Sequence, residues 1–364
     1  MKVLFLSLPT GNGHNICAKA AIEQLEKHGA ECVMLNIAEY INPLYSKAIS
    51  RGFLISARTG IVYDSFYRFI ELKEPSPKIS TVRFINMVLP LKLKTFLKEF
   101  QPDVIVCTHV FAAQMLTELK RTSKKIKSKT YGIITDFTVH PYWEDTELDY
   151  YVLPHELLTN QFRKKGLSQE KLLPFGIPVF EKFNKIIPRN VARNELGFEN
   201  KLTVLIMGGS MGFTKTDTIQ QLDKLDADFQ IITVCGNNKR LKKNIDKLKT
   251  NKKIYNYGFS DNVETLMSAS DCILTKPGGL TTTEALVKGL FIIMPNTFPG
   301  QEERNSEFLL NNGLAMRATK TFPLDECVYE FLNNKTRQLC ASDLAKSIAK
   351  PNASETLCNH IMNS

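Results

Sequence analysis

The sequence has no Cys-x-x-Cys pair, no Cys/His grouping at zinc spacing, no obvious Asp-x-Asp clamp and no glycine loop closed by Gly-Lys-Ser/Thr. Those absences argue against a structural zinc site, a carboxylate-held metal and a P-loop ATPase. Long apolar runs are missing too. Nothing approaches the roughly 20 apolar residues of a membrane span, so any membrane contact is expected to be peripheral. The apolar start, Met1 to Leu8, is short, lacks a small-residue cleavage site and runs into Pro9 and a glycine loop. It reads as a buried first strand rather than a signal peptide. Eight cysteines are scattered, with Cys107, Cys235 and Cys272 inside apolar segments. That usage fits reduced, buried thiols and a cytoplasmic protein.

What is present is an ordinary globular composition over 364 residues, 43% hydrophobic and 23% charged, long enough for two domains. The formal charge of +10 is uneven, because residues 41–100 hold ten Lys/Arg against four acids. Such a bias points to an anionic partner. Between about Pro43 and Lys98, Leu44, Tyr45, Ala48, Ile49 and Phe53 share a helical face, with Lys47, Arg51 and Arg58 among the polar positions. Insert helices packed on a domain would look like this, and so would a basic amphipathic segment lying on a membrane.

Elsewhere strands and helices alternate, which predicts α/β architecture with parallel sheets. The first βαβ unit places a glycine loop, Gly11-Asn12-Gly13-His14, between strand Val3–Leu8 and a helix from about Asn15. A first domain over 1–178 closes at Gly176-Ile177-Pro178, and Phe180–Gly197 reads as linker. A second spans 179–340. Ligands of such sheets sit outside the carboxyl ends of the strands, where the glycine-, His- and acid-bearing loops all fall. The two domains are therefore expected to face each other across one cleft.

Two loops of the second domain have the chemistry of phosphate cradles, Gly208-Gly209-Ser210 and Thr275-Lys276-Pro277-Gly278-Gly279-Leu280-Thr281. A strand that ends in glycines and feeds a helix offers unpaired N–H groups and the positive end of a helix dipole. Thr281-x-x-Glu284 also matches a capping box, so Glu284 reads either as a ligand contact or as a cap.

Together these motifs, with Ile134-Thr135-Asp136-Phe137, His140 and Pro299-Gly300-Gln301-Glu302, resemble the two-Rossmann-domain (GT-B) glycosyltransferases. Within that fold the pattern is most similar to the monogalactosyldiacylglycerol synthases and processive diacylglycerol glucosyltransferases, and it covers nearly the whole chain. The resemblance implies an inverting, metal-independent transfer of a hexose from UDP-glucose or UDP-galactose to diacylglycerol or a related lipid. No permanently bound cofactor is implied.

It assigns the diphosphate to Gly208, Gly209, Ser210, Gly278, Gly279, Leu280 and Thr281, the uracil to Phe259, and Gly13 and Pro277 to nucleotide-sugar binding more generally. Glu284 takes the ribose, Gln301 and Glu302 the donor hexose, with Asn305 in support. His14 becomes the general base or a diphosphate contact, and Asp136 shares the catalytic role. His109, His140 and Trp143 fall on the acceptor side, although loop hydrogen bonding for His109 and Asp136 and packing for Trp143 are equally ordinary roles. A last helix over 341–361 is expected to pack back on the first domain. The implied site of action is the cytoplasmic membrane face, docked on anionic lipid. Other readings are a polyprenyl-linked acceptor, a UDP-sugar epimerase on the same plan, and a non-enzymatic nucleotide sensor. Nucleic acid is disfavoured because no known binding module is present.

Overall fold

A computed structural model of the chain describes residues 1–8, 12–41, 93–123, 126–208, 216–295 and 300–364. Most of the basic 41–100 region, together with Gly11, Gly209, Ser210 and Pro299, lies outside them. Two compact units form. The first holds residues up to Glu181 together with Lys350–Ser364, and the second holds Lys182 to Ala349 apart from a short stretch ending at Gln301.

Each unit is built on six parallel strands. In the first, β1 (Lys2–Ser7), β2 (Glu31–Asn36), β3 (Val104–Cys107), β4 (Lys129–Ile133), β5 (Tyr150–Val152) and β6 (Leu172–Leu173) take the order β2-β1-β3-β4-β5-β6. In the second, β7 (Thr203–Met207), β8 (Gln230–Val234), β9 (Ile254–Tyr257), β10 (Cys272–Leu274), β11 (Phe291–Met294) and β12 (Ala315–Arg317) run β12-β11-β10-β7-β8-β9. Central strands are continuous apolar runs, such as Val3–Leu6 and Val204–Met207, because helices cover both faces and leave no polar side. In both sheets the chain starts in the middle and reverses direction once. The reversal falls between β1 and β3 in one unit and between β7 and β10 in the other, and a crevice opens at such a point beyond the carboxyl ends of the strands.

The helices that matter below are α1 (Asn12–Lys27), α2 (Val110–Thr122), α3 (Arg189–Glu195), α4 (Lys239–Asp246), α5 (Gly279–Val287), α6 (Gln301–Asn311), α7 (Lys335–Ile348) and α8 (Ala353–Met362). Three differ from expectation. The segment expected to be a linker carries α3, since Pro188 caps a helix there instead of interrupting one. Its Arg193 is buried and bonds Asp271 at 2.6 Å and the Ala269 carbonyl at 2.9 Å. The single helix expected over 341–361 is two, α7 and α8, broken around Pro351, whose ring cannot sit in a helix interior. β12 was not expected, and the helix Leu324–Asn333 lies after Phe322, where the sequence offers no recognisable motif.

Helix α8 belongs to the first unit and packs against α1. His360 sits among Tyr131, Tyr150 and Phe175, with the Tyr131 hydroxyl 3.0 Å from its Nδ1. Ser354 donates to the Val179 carbonyl at 2.6 Å. Among the described residues no helix is long and apolar enough to cross a membrane.

Candidate active site

In the first unit, the candidate residues gather at the reversal between β1 and β3. His14 is the third residue of α1, directly after the loop that leaves β1, and Ser7 at the end of β1 donates to Asn15 at 2.6 Å. The His14 Nδ1 lies 2.7 Å from the Thr108 carbonyl at the end of β3 and 3.0 Å from the Thr135 hydroxyl. A carbonyl only accepts, so the ring proton sits on Nδ1 and the Nε2 lone pair remains available. Burial holds the His14 pKa below the ordinary imidazole value, against the opposing charge of Asp136 and the Thr108 bond. A neutral imidazole with a fixed tautomer is a competent proton acceptor.

Around it, Thr108, His109, Thr135, Asp136 and His140 line the same pocket. The His109 and His14 rings meet edge to face at 4.7 Å. His109 caps α2, its Nδ1 accepting from the Phe111 N–H at 3.2 Å, which puts its ring proton on Nε2. Burial first, then the neighbouring His14 and His140, keeps His109 well below the ordinary histidine range. His140 caps the turn Pro141–Trp143 in the same way through the Tyr142 N–H. Trp143 also borders the pocket, but it is buried against Gly132, where an added Cβ would stand 2.8 Å from the indole.

In the second unit, the candidate residues gather at the reversal between β7 and β10. Gly208 directly follows β7, and Thr275–Gly278 joins β10 to α5. Gly278 is the N-cap of α5, at φ −73° and ψ 136°. The helix thus begins three residues before the start a capping box needs. Thr281 is its third residue, Glu284 lies in the second turn, and the cap reading of Glu284 fails. Nor does the protein itself need a glycine at 278. Its φ suits any residue, and a Cβ there would meet nothing within 4 Å. Gly279, Leu280 and Thr281 follow in the first turn, with their N–H groups at the helix start.

Beneath that turn, Glu284 is 8% exposed, and burial pushes its pKa up to about 8, with Glu264 adding to the shift and Lys182 opposing it. Gln301 and Glu302 open α6, and Glu302 is ion-paired with Lys276. Asn305, fully buried, donates to the Pro277 carbonyl at 2.9 Å, so one observed role is to hold the glycine loop in place. Phe259 stands 63% exposed just beyond β9. Thr108, Thr135, Lys182, Glu264 and Lys276 were missed as site residues; only Lys276, inside the glycine motif, and Thr135, beside Asp136 in its motif, carried a sequence signal. Among the described residues no group of three His, Cys, Asp or Glu is placed to hold a metal ion.

Comparison with known proteins follows the same two halves. A family model described as monogalactosyldiacylglycerol (MGDG) synthase matches residues 14–179, and one described as glycosyltransferase family 28 C-terminal domain matches residues 203–357. The chain carries the two domains of a GT-B glycosyltransferase. A processive diacylglycerol beta-glucosyltransferase of Bacillus subtilis is 28% identical to this glycosyltransferase, covering 99% of the chain and 94% of the relative. Monogalactosyldiacylglycerol synthase 1 of Arabidopsis thaliana is 26% identical over 97% of the chain and 69% of its own length. Among solved structures, MurG of Acinetobacter baumannii superposes with a TM-score of 0.66 at 15% identity, covering 100% of this chain and 99% of that one. A UDP-GlcNAc 2-epimerase of Neisseria meningitidis, bound to UDP-GlcNAc, gives 0.64 at 15% identity with both chains fully covered. At that identity the likeness speaks for the fold alone.

Proposed function

We propose that the protein transfers glucose or galactose from a UDP-sugar to diacylglycerol, with inversion at the anomeric carbon, at the inner face of the membrane. The observation that carries this reading is His14, held neutral at the β1/β3 reversal with its Nε2 lone pair available, in a chain that resembles diacylglycerol glycosyltransferases along nearly its whole length. The acceptor hydroxyl gives its proton to Nε2 as its oxygen attacks the anomeric carbon. The bond from that carbon to the UDP oxygen breaks, and UDP leaves with the electron pair. Attack from the face opposite the leaving group inverts the centre.

Charge on the departing diphosphate is met by the N–H groups of Gly278 to Thr281 and the dipole of α5, with Gly208, Gly209, Ser210 and Gly13 completing the cradle. Open space over Gly278 supports close approach of phosphate oxygens. Glu284 accepts from the ribose hydroxyls, and Phe259 covers the uracil. Gln301 and Glu302 bond the hexose, with Asn305 fixing the loop beneath it. Asp136 steadies the imidazolium as it forms, while His109, His140 and the edge of Trp143 border the acceptor.

Incubation with diacylglycerol vesicles and radiolabelled UDP-glucose or UDP-galactose, run in parallel, tests the reading and chooses the sugar. Transfer only to a polyprenyl-linked acceptor would replace the acceptor. A new UDP-sugar formed in lipid-free buffer would favour an epimerase.

A further inference from the structure

A second concentration of positive charge lies in the second unit, on the helix that follows β8 and the loop after it. Residues 239–253 contain eight Lys/Arg and one acid, Asp246. Helix α4 fixes how they are presented. Leu241 and Ile245 are buried and Asn238 caps the helix by accepting from the Leu241 N–H at 2.9 Å, so one side is committed to the core. Asp246 is already engaged by Lys242 at 3.0 Å and by the Asn256 amide at 2.7 Å. Lys252 donates to the Ala227 carbonyl at 2.5 Å and lies over the Phe229 ring. Lys239, Arg240, Lys243, Lys247 and Lys249 remain exposed, with no side-chain partner among the described residues.

That arrangement is unfavourable for the isolated protein. Lys239, Lys243 and Lys247 follow one another at helical spacing of four, where like charges repel. Lys239 and Arg240 also occupy the first turn, which has no acid and where the helix dipole disfavours cations. A surface that keeps five unpartnered cations together, three of them at repelling spacing and two at the helix start, is complementary to a dense, flat array of negative charge.

We propose that α4 and the loop after it form a contact surface of the donor-binding half for anionic lipid headgroups. The inference rests on the reading that the acceptor is a membrane lipid, and it adds a docking site distinct from the basic region at 41–100. Three cations on one helix face are enough to change vesicle affinity by roughly a hundredfold.

The test is co-sedimentation of the full chain with phosphatidylcholine vesicles, with and without phosphatidylglycerol, comparing the natural protein with a Lys239→Gln, Lys243→Gln, Lys247→Gln variant. The expected result is weaker binding by the variant, by about that factor, on the anionic vesicles alone. Its transfer to detergent-dispersed diacylglycerol should keep the rate of the natural protein. Equal affinity of the two proteins for anionic vesicles would overturn the proposal. So would a loss seen equally on neutral vesicles, or an RNA oligonucleotide that binds α4 in preference to anionic vesicles. If neither protein transfers sugar while the anionic-specific loss persists, the surface stands and the enzymatic reading falls.

Discussion

At the scale of single residues, Gly278 separates a ligand role from a structural one. Gly278→Ala meets no atom and needs no unusual backbone, so stability should stay within about 0.5 kcal/mol, while UDP affinity falls, measured by calorimetry. His109 offers a similar separation. In His109→Asn the amide oxygen can still accept from the Phe111 N–H, whereas Nε2–H is lost, so the fold should hold and the acceptor KM should rise. His109→Ala should also cost about 1 kcal/mol of stability for the missing cap.

Glu284 predicts a pH dependence. Its pKa rises from 4.5 in the unfolded chain to about 8 in the fold, so the native state holds a proton that the unfolded state releases. The stability it contributes is complete below pH 4.5 and is lost as pH climbs through 8, on the order of a few kcal/mol. Glu284→Gln should flatten that loss in thermal melts between pH 5 and 8.5, and a melt that keeps its slope would contradict the assignment. Residues in glycine motifs were legible in the sequence because strand, glycine and helix stand together. Thr108, Lys182 and Glu264 were not, because topology alone brings them to the site from distant segments.

Elements obey the same division between local and long-range information. Strands β8, β9, β10 and β11 and helix α6 follow from apolar runs bounded by turn residues, which local chemistry decides. The break between α7 and α8 does not announce itself in periodicity, although Pro351 marks it. The turn at Gly176 ties α8 to the first unit, with φ at +100° and room for no side chain. A Cβ there would stand 2.4 Å from the Lys350 Cβ and 3.0 Å from that of Ala353. Gly176→Ala should therefore destabilise by about 1 to 3 kcal/mol, through overpacking and left-handed strain together. Hydrogen exchange should then report loss of protection first in α8, and a variant with unchanged protection there would count against this packing.

For the whole molecule, strict alternation of strand and helix made two parallel α/β units legible. The two reversals could not be read, because strand order depends on pairings that no local pattern encodes. Each reversal gathers its own set of loops, the histidines in the first unit and the glycine motif in the second, to which the proposed function assigns the attacking hydroxyl and the leaving diphosphate. The central claim of the proposed function rests on His14. The measurement that tests it most directly is transfer of labelled hexose from a UDP-sugar to diacylglycerol vesicles by the natural protein and by His14→Ala, followed across pH. Glycolipid should form, kcat should fall by roughly 10² to 10⁴ in the variant, and the natural protein's kcat/KM should rise with pH to a plateau, with its midpoint below the ordinary imidazole value, as the depressed pKa requires. Glycolipid formed at equal rates by both proteins, or no glycolipid from either sugar, would contradict the account.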